Sequence, residues 1–492
     1  MPSVFVLSIF TFVLYAIILF SLSAFFIRRA LNSYEEYTLC GRALTIWYVI
    51  LTYMGTWVGG GTIIGLAGSS YMNGVGQYWV FASSCVAGYF FALLFITRVR
   101  VLRLNSIGDM FALRFPEYGE KIRILISLGL LVRNVTMIGM QFTALSFMFT
   151  YLFDIDRNLA VLVTFLVITG YTAMSGLWAV VVTDVLQGIL QTIGLFILLY
   201  FSIKVNGGLG NIIDFYIKSG NEIRISLIGG DGWFSNFAMC FITFGLFFFM
   251  GDQGDWERVW ASKSDKTAFW GYLIPLTITL LLLLIPTYIG VFQGPLAPHN
   301  IQEGYLIYGF IFGYLPPSIS LFIVVTLISA IMSSADSFMI GSGQIFSNDL
   351  IKRFINEKAT DQELIFWTRM GVVVSGTIGF AFAINISDII YLWIAGIGIA
   401  TIVIMPAYFM MWFSKRVNTQ DVLLGMITAG LYCAYILLVG KEFNTGSIFT
   451  GLLINVITVT IVSLLSEKPS DKIVRMTYYW SERFQHIYNI PK

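Results

Sequence analysis

Apolar residues along the chain fall in long runs from end to end, with polar residues collected between them. Each run is near the ~20 residues that a helix needs to cross a bilayer. Hydropathy and turn residues predict thirteen spans, at about 4–27, 45–72, 76–97, 123–153, 158–176, 177–203, 232–256, 267–293, 316–346, 366–387, 388–413, 421–440 and 447–465. The first run is too long and too evenly apolar for a cleaved leader, and no small-residue cleavage site follows it, so it reads as a retained span. An odd number of spans puts the termini on opposite sides.

Two runs are interrupted. "GTWVGGGTIIGLAG" (55–68) has three consecutive glycines, Gly59 to Gly61, where a helix should be strongest. A glycine in a helix interior costs about 0.5–1 kcal/mol relative to alanine. The seventh run, "CFITFGLFFFMGDQGDWERVW", is broken in its inner part by Gly251, Asp252, Gly254 and Asp255. The second and seventh spans lie five apart, so they cross the membrane in opposite directions. That is the layout of two five-helix inverted repeats, each opening on a broken helix. Non-helical backbone at membrane depth survives where it is buried in protein or lines a polar cavity, where freed carbonyls and helix ends can hold ions and solute. The glycines, including the Gly61/Gly65 pair, can equally serve close helix packing.

The reading divides the chain into an extra first helix and loop (4–44), a first repeat (45–203), an extracellular loop (204–231), a second repeat (232–413), and two further helices with a cytoplasmic tail (414–492). Composition agrees with a single transmembrane domain. The chain is 57% hydrophobic and only 11% charged, against about 25% charged for a soluble protein. Placement of charge orients it: one set of connections carries 23 lysines and arginines and the opposite set 5, with Arg133 inside a span. The basic side is cytoplasmic, so the amino terminus is outside and the carboxyl terminus inside a cell membrane crossed many times. No basic stripe suggests nucleic acid. Cys40, Cys85, Cys240 and Cys433 show no metal spacing, and with three of them inside spans and one in a cytoplasmic connection no disulfide is expected.

Ionisable residues within spans cost ~2.5–3.5 kcal/mol or more and need a reason. Asp184, Asp336, Asp252, Asp255 and Arg133 are such residues. Asp255 and Glu257 read as a solvated helix end beside Arg258, whereas Arg133 suits either an aspartate partner or the solute. In "AIMSSAD", Ser333 and Ser334 offer two neutral oxygens one turn after the Ala330 carbonyl, the ligand type that hard cations prefer. Serines can instead bond back to their own helix. No constellation of His, Cys or Ser suggests an enzyme, and the two histidines, His299 and His486, lie in opposite-side loops.

At these positions the sequence resembles the sodium:solute symporter family, whose fold is the inverted-repeat architecture of the amino-acid transporter LeuT. "SGLWAVVVTDVLQ" (175–187), "SAIMSSADS" (329–337) and "QGDWERVWASKS" (253–264) are similar to three family motifs, and the likeness covers essentially the whole chain. "TWVGGG", "MSSADS" and "DQELIFWTRMGVVVSG" look closest to the family's choline-transporting branch. The resemblance implies a sodium site made by the backbone carbonyls of Gly55 and Val58, the Ala330 carbonyl and the Ser333 and Ser334 hydroxyls, with Asp184 supporting it from behind. It implies solute contacts at Trp57, Gly59, Arg133, Asp252 and Gln253. Trp57 matches one aromatic of a choline cage, whose other aromatics align with Asp252, Val86 and Met137.

The implied function is sodium-coupled import of a small organic solute by alternating access, in a chain acting as a monomer among membrane lipid. An aspartate beside a tryptophan suits a cationic or amine-bearing solute, while a neutral amino acid, a sugar or a polyol remains open. So does a sensor that binds solute without moving it.

Overall fold

The computed structural model describes residues 2–116, 119–228, 233–247, 252–297, 303–470. Long helices account for nearly all of it. They are α1 (Pro2–Ala30), α2 (Ile46–Trp57), α3 (Gly61–Asn73), α4 (Tyr78–Leu94), α5 (Gly119–Phe153), α6 (Arg157–Met174), α7 (Gly176–Val205), α8 (Trp233–Cys240), α9 (Gln253–Ala261), α10 (Asp265–Phe292), α11 (Pro317–Ile355), α12 (Asp361–Asn385), α13 (Ile389–Phe413), α14 (Thr419–Leu438) and α15 (Thr445–Leu465). Among the described residues no strand forms beyond an isolated bridge from Leu44 to Ser262. That bridge ties the start of α2 to the end of α9 through Leu44 N–H to Ala261 O and Lys263 N–H to Leu44 O, each 3.0 Å.

Eleven of these helices are long and apolar enough to cross a membrane, or twelve with the bent pair α2 and α3 taken as one span. The expected seventh span, 232–256, is not among them. Helix is described over 233–247, with a π-turn at Phe241–Gly245, and over Gln253–Ala261; the expected break at Gly251 lies outside the described residues, as do His299 and most of the 467–492 tail. The connection 204–231 also differs from a plain loop, since Leu209–Lys218 forms a helix whose Ile212 and Tyr216 are buried.

The glycine-rich segment bends by 52° between α2 and α3. The break is narrower than Gly59–Gly61: Val58 leaves helical geometry (φ −107°, ψ 81°), yet Gly60 is already helical (φ −58°, ψ −41°). Helix resumes as a π-turn over Gly61–Gly65, a form that recurs at functional sites. A β-carbon on Gly59 would lie 2.3 Å from Ser334 Oγ, and one on Gly60 2.6 Å from Ala144 Cβ. One end of the glycine run therefore opens the helix, while the rest lets α5 and α11 approach.

The α6–α7 boundary has a different cause. Gly176 adopts φ +62°, open to glycine but costly for other residues, and a β-carbon there would sit 2.4 Å from Tyr37 O. Beyond it, α7 carries Asp184 alongside α2 and α11. Among the described residues four capping boxes, at Asp252, Thr360, Asn418 and Asn444, start α9, α12, α14 and α15 by satisfying amide groups that the first helical turn leaves free.

Candidate functional site

Two serines of α11 face the bend of α2. Ser333 Oγ lies 2.8 Å from the Gly55 carbonyl and 3.1 Å from the Ala330 carbonyl. Ser334 Oγ lies 2.7 Å from the Thr56 carbonyl and 3.2 Å from the Ala330 carbonyl. Back-bonding to their own helix and bridging to the broken one thus occur together. Gly55, Ala330, Ser333 and Ser334 converge as the sequence suggested. Val58 is buried in the bend, and the serines bond to the neighbouring Gly55 and Thr56 carbonyls. The set is five neutral oxygens, a donor type suited to a hard monovalent cation.

Asp184 stands behind this cradle. A β-carbon on Gly55 would lie 3.2 Å from both Asp184 Cβ and its carbonyl, so the aspartate backs the strand of carbonyls without reaching over it. Its carboxylate accepts from Thr52 Oγ1 (2.5 Å) and pairs with Arg258 Nη2 (3.2 Å). Arg258 also donates to Thr52, Thr56, Ser337 and the Gly254 carbonyl. Here the structure corrects the sequence reading. Asp255, Glu257 and Arg258 do not form a solvated helix end; all three are buried, and Arg258 is 1% exposed. Its charge belongs to the protein interior rather than to a loop.

A cavity of about 100 Å³ lies beside the cradle. Trp57, Gly59, Arg133 and Asp252 line it as expected, and so do Phe81, Tyr272 and Trp393, which sequence reasoning missed. These aromatics come from α4, α10 and α13, and nothing in their local sequence marks them. Met137 lines the cavity; Val86 does not. Trp57 is fixed by a hydrogen bond from Nε1 to Asp255 Oδ1 (3.0 Å) and by the ring of Tyr272, 5.2 Å away at 84°. Asp255 in turn shares the cap of α9, accepting from the Asp252 amide and giving its own amide to Asp252 Oδ1.

Gln253 is the second correction. It does not line the cavity: Oε1 accepts from the Ile107 amide, and Nε2 donates toward Asn105 O, Glu257 and Gln344. It braces α9 against the segment 105–107 and α11. Asp252 is also not the free anion that a cation-binding wall would need, because Arg133 Nη2 lies 2.8 Å from its Oδ2. At an effective dielectric of ~20, a unit charge ~4 Å from a carboxylate gains about 4 kcal/mol. An arginine at similar distance from the same charge removes most of that gain.

Farther along these helices, Arg123 of α5 lies between Asp109 (2.5 Å) and Asp349 of α11 (3.1 Å), with Asn348 and Ser106 filling the remaining valences. Asp109 belongs to the short helix Ile107–Arg114. Burial works against its ionisation, but Arg123 and Arg353 outweigh that and hold its carboxyl below the ordinary aspartate range.

A helix broken inside an all-helical membrane bundle, with hydroxyls and carbonyls facing each other across the break beside a small aromatic cavity, defines an ion-coupled transporter. The chain belongs to the sodium:solute symporter family, whose profile matches residues 37–429. It is 26% identical to a high-affinity choline transporter of Drosophila melanogaster, over 86% of this chain and 67% of that one. To the osmoregulated proline transporter OpuE of Bacillus subtilis it is 24% identical, over 90% and 92%. Its fold is similar to that of a Na+-coupled sialic acid symporter solved in a substrate-bound outward-open state, with a TM-score of 0.78 at 18% identity over 94% and 98% of the two chains. The protein is a multi-pass, sodium-coupled solute symporter with the LeuT-like fold, and sodium is its co-transported ion.

Proposed function

We propose that sodium binds between α2 and α11, held by the Gly55, Thr56 and Ala330 carbonyls and the Ser333 and Ser334 hydroxyls, and that solute binds next to it between Trp57 and Asp252. The carrying observation is that both serines, one helical turn from Ala330, reach the carbonyls freed at the break. A cation there replaces the two serine protons as the partner of those oxygens and clamps the broken helix to α11. Sodium thereby favours the conformation in which the cavity is formed, which is all that coupling requires.

In this reading, spans 2–6 and 7–11 form the two repeats, the amino terminus is outside, and one rocks against the other in a monomer within the cell membrane. The membrane potential supplies ~2.3 kcal/mol per charge for each ~100 mV, and the sodium gradient adds to it. Asp184 and Arg258 position the cradle without touching the ion.

The test is uphill accumulation in proteoliposomes under an inward sodium gradient. Ser333→Ala with Ser334→Ala abolishes sodium-dependent uptake while the protein still inserts and purifies. Uptake unchanged in that variant removes the sodium site from this position. Solute binding without accumulation makes the protein a sensor instead.

A further inference from the structure

One wall of the solute cavity carries both a cation and an anion, Arg133 and Asp252, 2.8 Å apart and both nearly buried. We propose that the transported solute is a small zwitterion, an amino acid or betaine with one carboxylate and one ammonium, lying head to tail against this pair. The proposal rests on the symport reading of the same cavity.

Three observations carry it. The first is charge balance. A solute with only a positive charge meets Asp252 already neutralised and brings its charge beside Arg133, and one with only a negative charge meets the converse. A zwitterion adds no net charge to a site where unpaired charge is costly. The second is unused hydrogen-bonding capacity. Arg133 gives Nη1 to Asn134 (3.0 Å) and Nη2 to Asp252, but Nε is buried and has no acceptor. The rings of Phe338 and Phe247 lie 4.6 and 5.4 Å from the guanidinium carbon, contacts that engage its face and leave edge N–H groups for a carboxylate. Ser84 Oγ and Thr279 Oγ1, also buried without partners, line the same cavity. Asp252 accepts at Oδ1 from the Asp255 amide of the α9 cap and at Oδ2 from Arg133, and a carboxylate has about four acceptor sites, so an ammonium can still be received.

The third is size. About 100 Å³ is well below the ~300–1,000 Å³ of pockets that take drug-sized ligands. Trp57, Tyr272 and Trp393 face the remaining volume as apolar surface.

The experiment is thermal unfolding of the purified full-length protein in sodium and in potassium, with four sets of probes. They are the proteinogenic amino acids with glycine betaine; choline with ethanolamine; acetate, lactate and pantothenate; and glucose with inositol. The first set alone should raise the unfolding midpoint, and in sodium only. Stabilisation by any other set overturns the proposal. So does no response to any set while sodium alone still stabilises the protein, an outcome that leaves the symport reading standing. No sodium effect of any kind overturns that reading and this one with it. For the amino acid or betaine that responds, Arg133→Gln and Asp252→Asn should each weaken apparent affinity on the order of tenfold or more. Unchanged affinity in both overturns the assignment of its charges. If Arg133→Gln does not fold, Arg133→Lys keeps the charge and loses the fork, and the same loss is expected.

Discussion

Arg258 places one nitrogen, Nη2, 3.2 Å from the Asp184 carboxylate, 2.7 Å from Thr56 Oγ1 and 2.8 Å from Ser337 Oγ. A single guanidinium therefore joins α9 to α2, α7 and α11, the helices that converge on the proposed sodium cradle. Because this permanent cation neutralises Asp184, the cradle can remain a set of uncharged oxygens.

Removing one partner of a buried ion pair leaves the other charge uncompensated, at a cost of about 3–5 kcal/mol. Arg258→Met should lower the thermal midpoint strongly, and Asp184→Leu in the same chain should recover part of the loss. A double variant as unstable as the sum of the two singles would show that the pair is not coupled.

Gly59 and Gly430 make a matched contrast. A β-carbon on Gly59 meets Ser334 Oγ at 2.3 Å, whereas one on Gly430 in α14 meets nothing within 4 Å. Gly59→Ala should displace Ser334 and cost ~1–3 kcal/mol, with loss of sodium-stimulated uptake. Gly430→Ala should keep uptake and gain up to ~1 kcal/mol from helix propensity. Equal sodium dependence in the two variants would refute the close approach at the break.

Trp57→Phe keeps an aromatic wall but deletes the hydrogen bond to Asp255. Losing it leaves a buried carboxylate oxygen without its donor, worth about 1.5–3 kcal/mol for a charged group. A raised KM for solute with little change in the sodium concentration at half-maximal rate is expected. If sodium dependence shifts as far as KM, Trp57 serves the cradle rather than the cavity.

The Asp109–Arg123 pair predicts an acid limb in stability. Asp109 is held below its ordinary value in the folded protein, so its stabilising effect is present above the unfolded aspartate pKa of about 3.9 and is lost as pH falls through the lower folded value. Asp109→Asn should be less stable than the native chain at neutral pH and approach it below about pH 4. A difference constant over that range would show that Asp109 does not titrate with folding.

The sequence alone placed the helices, because a span must satisfy its own backbone hydrogen bonds in lipid and must be apolar over a fixed length. Nearly every expected boundary lies within a few residues of an observed helix end. The break at 55–61 and the serine pair at 333–334 were legible for the same local reason: glycines weaken a helix, and hydroxyls inside a span need partners. What an isolated charge does there is not local. Asp252 and Arg133, 119 residues apart, neutralise each other; Arg258, read as a loop charge, is buried against Asp184; Gln253 braces a helix instead of facing solute. A charge within a membrane protein takes its meaning from whichever opposite charge the packing brings within a few ångströms. That pairing is decided between helices distant in sequence, so only the tertiary structure turns the cavity wall from an anion into a dipole.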